Sequence, residues 1–252
     1  MPSPRPRKNS ANGRGRIRES NESRLLKAAE TVFAERGFSG ATTAAIAARA
    51  KLPKANLHYY FRTKAELYRA VLANVLALWL DELDRFTPDR EPADAIAEYV
   101  AGKLYWSRVR PNASKVFANE ILHGAPFLES YLARDLRQRV EQKAKVIRQW
   151  IRSGKLRPVD PKHFIFQLWA STQHYADFDV QVRAVLGRRK LGERDFAASA
   201  ANITALILDG CLTRGPAARQ ALADRERPSA EVTPRDSLMN HERAGRSRSG
   251  KA

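Results

Sequence analysis

From residue 25 to residue 213 the apolar positions of this chain recur every three or four residues. No run of alternating β-branched residues is long enough for a strand. Leu25, Leu26, Ala29, Val32 and Phe33 form one helical stripe, which stops at Gly37. Further helical stretches run over 93–110, 113–123, 127–152, 161–186 and 194–213. Pro88, Pro111, Pro126 and Pro158, with Gly124, Gly154, Gly187 and Gly192, punctuate them. The pattern predicts an all-α protein of about nine helices, without internal repeats.

Four of these helices crowd into residues 20–86. Thr42 is placed to cap a short helix, TTAAIAARA, and LPKANLHYYF makes another after a tight turn. Thr63-Lys64-Ala65-Glu66 reads as a capping box that opens a long helix to Phe86. Two short helices and a tight turn, with a polar face left over, match a helix-turn-helix. In that motif the second helix enters the major groove, and its first residues meet base edges.

Lys54, Ala55 and Asn56 stand at that position. Asn bonds N6 and N7 of adenine, Lys reaches O6 and N7 of guanine, and Ala contacts a thymine methyl. His58, Tyr59 and Lys64 suit phosphate contacts, as do the hydroxyls and N–H groups of Thr42 and Thr43. Leu57 and Phe61, four apart, are expected to face the core. A half-buried aromatic seam is the competing reading of His58 and Tyr59.

The formal charge of +18 points to a polyanionic partner, nucleic acid or an anionic membrane surface, and the basic ends lack the apolar helix face that a membrane surface needs. Residues 1–19 hold six cations between Arg5 and Arg18, with three prolines and two glycines. They read as a disordered basic arm, either a solubilising tail or a segment that follows a phosphate backbone or enters a minor groove. Residues 215–252 read as a disordered tail. No apolar run approaches the roughly 18 residues of a membrane span, and no signal peptide is legible. The single cysteine, Cys211, excludes an internal disulfide, and a cytoplasmic location is expected.

The stretch RGFSGATTAAIAARAKLPKANLHYYFRTKAELYRAVL resembles the DNA-binding domain of the TetR family of transcriptional regulators. The matching positions are Thr42, Thr43, Ile46, Ala47, Leu57, Tyr59, Tyr60, Phe61, Thr63, Lys64, Leu67 and Tyr68. Two positions depart from the family pattern. Lys51 stands where the turn normally carries Gly, so Lys51 is expected at φ > 0. Pro53 stands where a Ser cap is usual, and proline provides no cap. The resemblance implies a homodimer that binds operator DNA and is controlled by a small molecule held in residues 67–214. The helix over 194–213, rich in small residues, is then the expected pairing element.

Residues 99–108, 114–128 and 153–178, the last reading SGKLRPVDPKHFIFQLWASTQHYADF, are similar to pyrimidine-responsive members of that family. Trp169 and Gln173 lie four apart and share a helix face. A carboxamide complements an imide N–H beside a carbonyl, and an indole stacks on a planar ring. Lys103 is a candidate donor to a carbonyl oxygen, and Trp79 and Trp106 are candidate walls. Trp79 and Trp106 also read as plain core, and Lys103 as a solvated cation. Uracil or thymine is the expected effector, and the resemblance implies that it controls DNA release. A different effector on the same fold is the nearest alternative.

An enzyme is the rival of another class. The five histidines show no zinc-motif spacing, and Cys211 sits in an apolar helix where a thiol is inert. No glycine-rich phosphate loop follows a strand, and no catalytic set, metal site or cofactor is expected. A sequence-independent DNA-compacting protein is a second rival.

Overall fold

The computed structural model describes residues 10–212, with side chains from residue 18 onward. The C-terminal tail and the first nine residues of the expected arm lie outside the described residues. The described chain is α-helical throughout: α1 Ser10–Gly40, α2 Thr43–Ala50, α3 Lys54–Tyr60, α4 Lys64–Leu83, α5 Pro92–Val109, α6 Pro111–Leu122, α7 Glu129–Tyr131, α8 Arg137–Arg152, α9 Pro161–Asp177, α10 Asp179–Val185 and α11 Glu193–Cys211. A π-helical turn, Leu132–Leu136, joins α7 to α8. Among the described residues there is no strand, only an isolated antiparallel bridge between Leu156 and Leu212.

Helix α1 starts at Ser10, inside the segment expected to be an irregular arm, and breaks at Gly37, whose φ of 64° only glycine adopts freely. Thr42 Oγ1 accepts the Ala45 N–H at 3.1 Å and starts α2. Thr63 Oγ1 does the same for Glu66 N–H at 3.0 Å and starts α4. The Glu66 carboxylate reaches back to the Arg62 N–H, one residue before the position a strict capping box uses.

Two expected single helices are divided. The stretch 127–152 contains the π-helical turn, whose first and last residues, Leu132 and Leu136, line one cavity. The stretch 161–186 breaks at Phe178 (φ −114°, ψ 33°). There Asp177 accepts from the Ser114 hydroxyl and Asp179 pairs with Lys115 at 2.7 Å, both on α6.

The described residues hold two apolar cores. The first gathers Leu25, Phe33, Ile46, Leu57, Leu67 and Leu72 with Val116 of α6. The second gathers Leu83, Phe86, Ile96, Leu104, Trp150 and Ile165. Seven-residue α3 is too short to hold its shape alone, and the fully buried Leu57 fastens it to the first core. Helix α4 enters both cores, and α1 packs along α6.

Candidate functional site

The exposed surface of the helix-turn-helix is set by backbone geometry at the turn. Lys51 adopts the left-handed conformation expected of it (φ 54°, ψ 44°). Its N–H donates to Ala48 O at 3.0 Å, and the Leu52 N–H donates to Ala47 O at 3.0 Å. From α1, Arg24 donates to Ala50 O at 2.7 Å and to Lys51 O at 3.3 Å. The exposed carbonyls at the end of α2 are thereby satisfied, and the strain of a non-glycine at φ > 0 is offset. Nothing in the sequence marked Arg24, because its partners lie 26 and 27 residues away.

Pro53 starts α3 with no side-chain cap, as expected; Asn56 N–H donates to Pro53 O at 3.0 Å instead. Lys54, Ala55, His58 and Tyr59 are exposed and Asn56 is half-buried, while Leu57 and Phe61 are buried. Tyr59 is 71% exposed, so it does not belong to a core seam. Its ring meets Tyr60 edge-on at 5.2 Å, and the Arg18 guanidinium lies 5.9 Å from its centroid. Thr42 and Thr43 stand at the N-terminus of α2, where the backbone donors face outward.

Lys64 is the exception. Its ammonium donates to Phe38 O at 2.8 Å, Ala41 O at 3.0 Å and Ser39 O at 3.4 Å, and sits 4.5 Å from the Phe38 ring centroid. All three donors are committed to the α1–α2 loop. Lys64 therefore ties α4 to that loop. The orphan carbonyls at the end of α1 attract this cation.

A cavity of about 220 Å³ lies between α4, α5, α6, the π-helical turn and α9. Trp79, Lys103, Trp169 and Gln173, expected from the sequence as effector ligands, all line it. Leu76, Leu80, Leu83, Phe117, Ile121, Leu132 and Leu136 complete the wall, and the sequence had not singled them out. The volume is below the roughly 300–1,000 Å³ typical of drug-sized sites and suits a single small ring. The Trp169 indole lies near the buried Tyr99 hydroxyl and 5.6 Å from the Phe166 ring. Gln173 also borders an open groove of about 630 Å³ that includes Lys115, His174 and Asp177.

Lys103 is only 2% exposed. Its Nζ lies 3.9 Å from the Trp79 ring centroid, and no described residue accepts a hydrogen bond from it. Burial pushes its pKa down to about 7, against the weaker pull of the Asp177 and Glu82 carboxylates. Burial likewise raises Asp177, which the Ser114 hydroxyl and Lys103 partly counter. A buried ammonium with a π-face and no oxygen partner is a ready donor to a carbonyl oxygen.

Trp106 is not part of the cavity. Its indole N–H donates to Glu82 Oε1 at 3.1 Å, and Arg85 Nε donates to Glu82 Oε2 at 2.7 Å. The Glu82 carboxylate lies over Gly102, where any Cβ would come within 2.1 Å of Oε2. Trp106 turns toward that buried carboxylate, which a solvated surface would not have required. Cys211 is buried, and burial pushes its thiol up to about 11, an inert state.

The exposed face of α11 carries Ala197, Ala198, Ala201, Ala205 and Leu206, the last 67% exposed. No helix among the described residues is long and apolar enough to cross a membrane.

Comparison with known proteins agrees with this geometry. Residues 25–71 match the profile for bacterial regulatory proteins of the tetR family, and residues 72–214 match that of the YcdC-like protein C-terminal region. The HTH-type transcriptional regulator RutR of Escherichia coli K12 is 43% identical over 201 residues, covering 80% of this chain and 95% of the relative. Among solved structures, the ketosteroid transcriptional regulator KstR2 of Mycobacterium tuberculosis superposes with a TM-score of 0.60 at 20% identity, over 77% of this chain and 95% of that one. AibR, solved with isovaleryl coenzyme A and operator DNA, gives 0.58 at 18% identity, over 74% and 97%. A profile covering more than half of the chain and a relative matched almost end to end agree, and the chain belongs to the tetR family of bacterial regulatory proteins.

Proposed function

We propose that this protein is a dimeric transcriptional repressor that binds operator DNA through α2 and α3 and releases it when a pyrimidine such as uracil or thymine fills the cavity. The observation that carries the ligand class is the meeting of four groups at one small cavity. Trp79 and Trp169 offer flat faces, the Gln173 carboxamide offers a donor and an acceptor, and the Lys103 ammonium lacks an oxygen partner. An imide ring flanked by carbonyls complements that set. The similarity of residues 153–178 to pyrimidine-responsive family members supports the same reading.

In this account residues 20–66 are the reading head and residues 67–214 hold the effector and the dimer contacts. Lys54, Ala55 and Asn56 read base edges; Thr42, Thr43, His58 and Tyr59 grip phosphates. The last helices, with their exposed small and apolar residues, pair two subunits so that two heads span half-sites about 34–36 Å apart. The protein acts in the cytoplasm and is not an enzyme.

Calorimetric titration with uracil, thymine and adenine tests the ligand class. Saturable one-to-one binding of the pyrimidines and none of adenine is expected. No binding of either pyrimidine defeats the effector assignment and leaves a regulator of the same fold with a different ligand.

A further inference from the structure

Two of the helices that line the cavity meet at one residue. Helix α5, which carries Lys103, stops at Val109, and α6, which carries Phe117 and Ile121, starts at Pro111. Arg110 alone joins them, with φ −133° and ψ 53°. Its backbone is held on both sides: the N–H donates to Trp106 O at 2.8 Å, and the carbonyl accepts the Ala113 N–H at 3.0 Å. The corner therefore moves with the helices it connects.

The side chain of Arg110 leaves the sensor. Its guanidinium pairs with Glu30 of α1, through Nη2 and through Nε at 3.3 Å, and Nη2 also donates to Asn74 Oδ1 of α4 at 3.0 Å. Glu30 is only 6% exposed, and Arg110 is the one cation paired with it among the described residues. Six residues before Glu30, α1 carries Arg24, whose guanidinium covers the carbonyls of Ala50 and Lys51 at the helix-turn-helix turn. A continuous set of contacts thus runs from the cavity walls through Arg110 and Glu30 along α1 to the turn that orients α3.

We propose that Arg110 is the positioning residue through which cavity occupancy reaches the DNA-reading head. The proposal rests on the effector reading given above. A ring between α4, α5, α6 and α9 displaces the walls that meet at Arg110. A fork held rigidly by a buried carboxylate and an amide converts that displacement into a tilt of α1 relative to α4. Lysine keeps the charge but lacks the planar fork that binds Glu30 through two nitrogens while reaching Asn74.

The test measures duplex affinity with and without saturating uracil, on a duplex the protein itself selects from random sequence, alongside uracil affinity by calorimetry. The variants are Arg110→Lys, Asn74→Ala, and the double change Glu30→Gln with Arg110→Gln, which leaves no orphaned charge. In the unmodified protein the ratio of the two duplex affinities is expected in the roughly 5–150-fold range of allosteric coupling. In Arg110→Lys and the double variant it is expected to collapse toward one, with uracil affinity and uracil-free duplex affinity retained. Folding of the double variant keeps the test intact if Arg110→Lys is unstable. A ratio unchanged in every variant overturns the proposal while leaving the functional reading in place. A ratio of one in the unmodified protein overturns that reading and this proposal with it.

Discussion

The Lys103 ammonium lies 3.9 Å from the centroid of the Trp79 indole, with 2% of the lysine exposed. A cation held against an aromatic face inside a cavity is stabilised far less than one in water, and its pKa of about 7 expresses that deficit.

The stability consequence has a definite sign. The folded-state pKa lies below the value of 10.5 for free lysine, so the unfolded chain binds more protons between pH 7 and 10.5. The destabilisation is fully present below pH 7 and is relieved as pH rises toward 10.5. Each tenfold loss of proton affinity on folding costs about 1.4 kcal/mol. Lys103→Met is therefore expected to be more stable than the unmodified protein by a few kcal/mol at pH 6. The gain is expected to shrink by pH 9.5, as urea melts at the two pH values will show. Uracil affinity is expected to fall from pH 6 to 8.5 in the unmodified protein, because the protonated donor is lost.

Gln173 lines the cavity and Trp106 does not. Gln173→Ala is expected to weaken uracil binding about tenfold, the equivalent of one hydrogen bond left unmade, and to leave duplex affinity unchanged. Trp106→Phe removes the N–H that serves Glu82 and is expected to cost about 1–3 kcal/mol in a chemical melt. Its uracil affinity, read by calorimetry, is expected to stay near that of the unmodified protein.

Lys64 and Arg18 have opposite signatures. Lys64→Met breaks three bonds to the α1–α2 loop and is expected to lower the melting temperature without changing the salt slope of DNA binding. Arg18, exposed beside Tyr59, is a phosphate-contact candidate, so Arg18→Gln is expected to reduce that slope by about 0.9 per subunit. Anisotropy titrations at several salt concentrations measure both.

Asn56→Ala is expected to relax preference at one base position of each half-site and to cost about 1–3 kcal/mol on the preferred duplex. Selection of duplexes from random sequence by the variant shows the relaxed position directly.

The helices of the reading head were legible because their signals are local. Thr42 and Thr63 cap helices that begin at the next residue, and the left-handed Lys51 stands where the resembled family carries Gly. The cavity was partly legible because Trp169 and Gln173 share one helix face. What the sequence hid depends on distant partners. Lys64 finds its carbonyls 23 to 26 residues away, and Trp106 finds Glu82 24 residues away. Arg110 finds Glu30 80 residues away. The breaks at the π-helical turn and at Phe178 leave the apolar period nearly intact, so periodicity alone reads straight through them.

The most direct test of the account is the anisotropy of a labelled, protein-selected duplex as uracil is added. The duplex is expected to be released at uracil concentrations that saturate the cavity and to stay bound with adenine. A duplex that remains equally bound with uracil, or is released equally by adenine, contradicts it.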